Sequence, residues 1–196
     1  MSRLGTWKPD GFAGRIDRLE SLAQIRQLAQ RYALAIDSRD IDALVALFVP
    51  DVRIGRDASG RAALAAWFRD ALSGFRTSIH FVGNHIVDFD GPDDAHGIVY
   101  CRDELDYPDR GEWQVGVLQY WDTYRRIEGE WCFSRRKFLR WYVGDALTRP
   151  AHGLGMDGEH QLNTTQLPEV FDTWHSYWSQ VKPDANPALD EPEGTG

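Results

Sequence analysis

Cysteine is nearly missing from this chain: Cys101 and Cys132 are the only two in 196 residues. That excludes a disulfide-stapled scaffold and a four-cysteine zinc site, and both side chains are expected as reduced thiols. Long hydrophobic runs are missing too. The longest, at 43–49, spans seven residues, against the roughly 20 that a bilayer-crossing helix needs. Positive charge is in deficit, with 22 Lys plus Arg against 30 Asp plus Glu and a net charge of −8. A field of that sign repels polyphosphate, so nucleic acid is not an expected partner. The first 12 residues lack a charged start followed by an apolar block, so no secretory signal is read there and the cytoplasm is the expected location.

What the chain does have is a core's worth of apolar residues, 42% hydrophobic and 12% aromatic with eight Trp, in a length that suits one domain. Ile16, Leu19, Leu22, Ile25, Leu28, Tyr32, Ala35 and Ile36 recur every three or four residues, the stripe of an amphipathic helix ending near Asp37 and Ser38. Asp40 then reads as the N-cap of a second helix over 41–48, stopped by Pro50. A brief strand over 51–56 follows, and Ser59 reads as the cap of a third helix over 61–72. From about Thr77 the pattern turns to strands at 78–89, 95–107, 112–126 and 131–143, separated by turn residues such as Gly91-Pro92-Asp93-Asp94 and Pro108-Asp109-Arg110-Gly111. Helices first and strands afterwards predict an α+β domain, a cone-shaped barrel with three helices on one face of a curved antiparallel sheet that encloses a pocket. The expected organisation is an N-terminal extension at 1–14, this domain at 15–145, a C-terminal extension at 146–182 and a disordered tail at 183–196. The C-terminal extension contains a short helix at 169–181, a lid or a subunit contact.

Four residues stand out chemically before any comparison. Alternation over 95–107 puts Asp103 on the same face as Ala95, Val99, Cys101 and Leu105, where burial raises a carboxyl pKa unless the group is paired. The ordinary alternative is an acid at a fraying strand end. Asp37 closes the apolar stripe of the first helix, as a site carboxylate or as a simple turn residue. His80, in an apolar strand, is a general base or a satisfied core histidine. Arg140 lies among Phe138, Leu139, Trp141 and Tyr142, and a cation there calls for a carboxylate, an anionic ligand or an aromatic face. His80, His85 and His96 do not suggest a metal, because His80 and His85, five apart on a strand, are expected to face opposite sides. The G-x-G-x-x-G match at 153–158 has no strand leading into it, so a dinucleotide site is not expected. The Asn163-Thr164-Thr165 sequon is read as chance.

The order of these pieces carries a resemblance. The stretch from Tyr32 through Asp37 to Asp40, followed by a helix and Pro50-Asp51-Val52, resembles the opening of the SnoaL-like branch of the nuclear transport factor 2-like superfamily. The run from His80 to His85 ending in Asp90-Gly91, and the hairpin from Tyr124 to Trp131, resemble its next two signatures. The resemblance spans about 15–145. The pattern Tyr32, Asp37, His80, Asp103 and Arg140 is most similar to the bile-acid 7-alpha-dehydratases. The pair Asp37 and His80 is similar also to scytalone dehydratases and hexachlorocyclohexane dehydrochlorinases, but the second catalytic histidine of the scytalone enzymes has no counterpart in the strand of Asp103. The resemblance implies a dehydratase that needs no cofactor or metal and acts on a small, hydrophobic, hydroxylated ring compound such as a steroid, bile-acid-like or polyketide substrate. It implies Asp37 orienting His80, His80 removing a proton, Tyr32 and Asp103 assisting the leaving hydroxyl, and Arg140 stabilising negative charge, with the His80 and Asp103 roles interchangeable. Polyketide cyclase, ketosteroid-type isomerase and a non-catalytic ligand-binding module or dioxygenase β-subunit are the alternatives. Relatives in the family assemble as trimers, and a homotrimer is expected.

Overall fold

The computed structural model describes residues 7–145 together with His175. The helix and tail expected beyond 145, the glycine-rich match at 153–158 and the sequon therefore lie outside the described residues.

Three helices precede the main sheet: α1 (Gly11–Asp37), α2 (Ile41–Ala46) and α3 (Arg61–Ser73). α1 starts at Gly11, so the end of the expected N-terminal extension is already helical, and Trp7 just before it packs its ring 6.0 Å from that of Phe89. Its apolar stripe is buried only from about Ile25 onward. Phe12, Ile16 and Leu19 are exposed, and the first turns meet the sheet through polar side chains instead, Asp17 with Arg126 and Arg18 over the Phe89 ring. The helix stops when Arg39 takes a left-handed φ of 60°, and the Arg39 and Asp40 amides turn back to donate to Ile36 O and Ala35 O. Asp40 then caps α2 as expected, accepting from the Ala43 amide at 2.9 Å. The reversal is three residues long, Ser38 to Asp40, so α1 and α2 form a tight hairpin.

α2 ends two residues early. Phe48 instead makes a parallel bridge with Phe133, and Val49 N and Phe133 N exchange hydrogen bonds with Phe133 O and Leu47 O, so the backbone of the expected last helical turn is used by the sheet. The brief strand of 51–56 shrinks to β1 (Arg53–Ile54), paired with β2 (Ala58–Ser59). That pairing takes Ser59 out of the capping position. Gly60 stands there instead, with φ 91° and no side-chain cap, a conformation that glycine adopts without steric cost.

The main sheet has four antiparallel strands in sequence order, β3 (Thr77–Phe89), β4 (Asp94–Tyr107), β5 (Glu112–Ile127) and β6 (Glu130–Asp145). The helices cover one face, and Val99, Cys101, Leu118, Tyr120, Tyr124 and Phe133 meet Ile25, Tyr32, Ile36, Leu44 and Phe68 in a single core. Register slips at Val82/His85, Val117/Leu118 and Thr123/Tyr124 bend the strands, since a bulge adds local twist. The outer face keeps Ile79, Phe81, Ile86, Tyr100 and Trp113 exposed. Among the described residues, no helix is long and apolar enough to cross a membrane.

Candidate active site

The end of α1 delivers Asp37 to the start of β3, and there the carboxylate grips one residue twice. Its Oδ2 accepts from the His80 amide at 2.8 Å, and its Oδ1 lies 2.6 Å from His80 Nδ1. Ser78 Oγ donates to the same Oδ1 at 2.9 Å. Ser78 is itself held by Arg39, whose Nη1 donates to Ser78 Oγ and to Ile36 O, both at 2.7 Å. An arginine only donates, so the single Ser78 proton must go to Asp37. Burial pushes the Asp37 carboxyl up, but the side-chain and backbone bonds from His80, the His80 charge and the Ser78 bond outweigh it and hold the pKa below the ordinary value. With Asp37 ionised, the shared proton sits on His80 Nδ1, which leaves the Nε2 lone pair available as a base. The His80 side chain is 7% exposed.

Directly beside His80 in the ladder lies Asp103, 4% exposed, its Oδ1 without a hydrogen-bond partner. The alternation argument for its inward direction holds. Burial raises the Asp103 pKa, with the Arg140 and His80 charges pulling the other way. Arg140, also buried, is lowered by desolvation, against the pull of Asp103. Its guanidinium carbon lies 4.9 Å from the Phe138 ring centroid. Asp37, His80, Asp103 and Arg140 therefore form one electrostatically coupled group on the helix-covered face.

Tyr32 belongs to a second group. Its ring is packed edge-on by Phe48, Phe68, Tyr120 and Phe133, and the Arg136 guanidinium lies 4.2 Å from its centroid. Burial pushes its hydroxyl up to about 12, with Arg136 pulling down. Arg136 is clamped by Asp122 through two bonds, Nε to Oδ1 at 2.9 Å and Nη2 to Oδ2 at 2.7 Å. The Tyr124 hydroxyl donates to Asp122 Oδ2 at 3.0 Å and in turn stands 2.9 Å from His85 Nε2. Because the Tyr124 proton is committed to Asp122, His85 Nε2 must be the donor, and the neutral imidazole is fixed in that tautomer. Burial brings the His85 pKa down to about 4, with Arg136 and Arg26 acting in the same direction. Tyr32 thus makes no hydrogen bond with Asp37 or His80. Five residues of helix put the two side chains on different flanks of α1, and each finds its own partners.

The expectation that His80 and His85 face opposite sides is overturned. His80 pairs with Asp103 and His85 with Val99. Those two partners sit four apart on β4, hence on one face, and the extra residue between Val82 and His85 restores the parity of β3. Among the described residues, no group of three His, Cys, Asp or Glu is gathered in a way that could hold a metal ion. A groove of about 550 Å³ opens elsewhere, with Gln27, Arg31, Arg61, Glu128 and Cys132 in its walls, and none of the five predicted residues lines it.

Residues 17–137 match the SnoaL-like domain. The chain belongs to the SnoaL-like family. Within it, uncharacterised proteins of Mycobacterium bovis and Mycobacterium tuberculosis are 33% identical over 126 residues, covering 61% of this chain and 82% of theirs. The same fold occurs in a candidate scytalone dehydratase of Novosphingobium aromaticivorans, with TM-score 0.60 and 24% identity over 74% of this chain and 99% of that one. It occurs also in the hexachlorocyclohexane dehydrochlorinase LinA-type3 of Novosphingobium barchaimii, with TM-score 0.60 and 19% identity over 74% and 99% of the two chains.

In this SnoaL-like chain the second buried group, His85, Tyr124, Asp122 and Arg136, was not predicted. A signal existed for part of it. Asp122 shares the parity of Leu118, Tyr120 and Tyr124 on β5, so alternation alone places a carboxylate indoors and calls for a cation. Its register partner is Arg136, but the slip at Thr123/Tyr124 hides that pairing from residue counting.

Proposed function

We propose that this SnoaL-like protein is a cofactor-independent dehydratase that eliminates water from a hydroxylated hydrophobic ring compound, of steroid, bile-acid-like or polyketide type. The observation that carries the reading is the two-point grip of Asp37 on His80, which presents Nε2 as a base on the buried face. In the reaction His80 Nε2 removes a carbon-bound proton next to an electron-withdrawing group, and that electron pair forms the new double bond as the carbon–oxygen bond breaks. Asp37 stabilises the imidazolium so produced. Asp103, whose burial favours the protonated form, gives its proton to the departing hydroxyl, and water leaves. Arg140 stabilises the Asp103 carboxylate that remains and negative charge developing on the substrate. Proton return from His80 to Asp103 closes the cycle. Tyr32, enclosed by its aromatic box and Arg136, takes no part in these proton transfers.

Purified protein incubated with panels of hydroxysteroids and hydroxylated aromatics is expected to yield products lighter by one water in mass spectrometry. Products of unchanged mass with a moved double bond favour isomerisation instead, and no conversion of any panel rejects the reading. The exposed apolar outer face of the sheet supports a homo-oligomer, and a trimer in the cytoplasm is the assembly and location we propose. Light scattering that returns a 22.4 kDa monomer rejects that assembly.

A further inference from the structure

His80, Asp103 and Gly116 stand in one straight row across β3, β4 and β5, each opposite the next in the ladder. Gly116 is an odd occupant of a central strand, where a residue without a side chain packs nothing and costs conformational entropy. Its backbone does not call for glycine either, since Gly116 is not among the residues with a left-handed φ. What the position lacks room for is a side chain. A Cβ added there would come within 3.2 Å of the Asp103 carboxyl carbon and 3.5 Å of its Oδ2, and would overlap Oδ1 outright. That Oδ1 is the buried oxygen with no hydrogen-bond partner.

We propose that Gly116 is a positioning residue for Asp103: its missing side chain is a seat in the sheet that receives Oδ1 and holds the carboxyl beside His80. The proposal deepens the dehydratase reading and rests on it for the role of Asp103. Any larger residue at 116 forces the Asp103 side chain into another rotamer, away from the row and from the field of Arg140. The three atoms nearest to the added Cβ all belong to Asp103.

A double-mutant cycle in thermal unfolding tests the seat without a substrate. Gly116→Ala is expected to lower Tm by several degrees in the native background, and to leave Tm unchanged or raised when Asp103→Ala is already present, since alanine suits a strand better than glycine once the clash is gone. Equal losses in both backgrounds overturn the proposal. If Gly116→Ala alone does not fold, recovery of a folded protein on adding Asp103→Ala supports the seat, and failure of the pair where Asp103→Ala alone folds overturns it. Carboxyl 13C titration gives a second readout: in folded Gly116→Ala the Asp103 midpoint falls toward that of an ordinary carboxyl, and an unmoved midpoint again overturns the proposal. A sign reversal in the cycle together with no dehydration of any compound leaves the seat standing and removes the chemistry. Dehydration with equal losses removes the seat alone.

Discussion

Asp122→Asn is the most demanding test of the interior, because the replacement has the same shape and lacks only the charge. The Asp122 side chain is fully buried and that of Arg136 is 6% exposed, so neither ion has water to fall back on. Asp122 accepts two bonds from Arg136 and one from Tyr124. An asparagine offers one acceptor oxygen in place of two, so at least one Arg136 donor faces an NH2 group whichever way the amide is turned. Breaking a buried pair by removing one partner's charge typically costs about 3–5 kcal/mol. At about 2–4 °C per kcal/mol for a chain of this size, that is a fall in Tm of about 6–20 °C. The three rings stacked within 4.2 Å of the guanidinium carbon soften the loss and favour the lower half of the range, since cation–π contacts survive the substitution. Calorimetry on the native and Asp122→Asn proteins measures it directly. A fall smaller than about 2 °C, which corresponds to under about 1 kcal/mol, would refute the claim that this pair is a dry, mutually dependent unit.

Two further outcomes follow from the Asp37–His80 grip. His80→Ala is expected to stay folded while turnover drops on the order of 10²- to 10⁴-fold, the worth of a positioned acid–base group; a folded His80→Ala protein with full activity ends the proposed mechanism. The depressed Asp37 pKa contributes stability that is present above the unfolded-state value near 3.9 and is lost as pH falls through the lower folded value. Asp37→Asn should therefore flatten the acid limb of a stability–pH curve recorded in urea, and a limb unchanged in shape contradicts the assigned hydrogen bonds.

Most of the architecture could be read from periodicity, because helix stripes and strand alternation report directly on which face is buried. The four long strands agree with their expected bounds to within two residues, and Asp103 was placed inward by counting alone. Counting failed wherever the backbone changed phase. His85 was turned to the wrong side by an added residue, and Ser59 lost its capping role to Gly60 because β2 claimed it. Asp37 and His80 could be paired only through the resemblance, since 43 residues of sequence separate two groups whose contact depends on the left-handed turn at Arg39. Asp122 and Arg136 differ: alternation on β5 places the Asp122 carboxylate indoors, but the slip at Thr123/Tyr124 conceals which residue of β6 stands opposite it.

The added residue between Val82 and His85 also decides what length changes β3 can accept. On one side of it, His80 is tied to the end of α1; on the other, Phe89 is 1% exposed between Trp7 and Trp131. Removing one residue at Gly83 or Asn84 satisfies both ends, because Val82 and His85 then have a single residue between them, as their partners Cys101 and Val99 have on β4. His80, Val82, His85, Val87 and Phe89 keep the face they hold now, and what disappears is the local twist of the bulge. The strand carries one spare link in its middle, and single-residue deletions across 83–84 are expected to leave a folded protein in which His80 still meets Asp37.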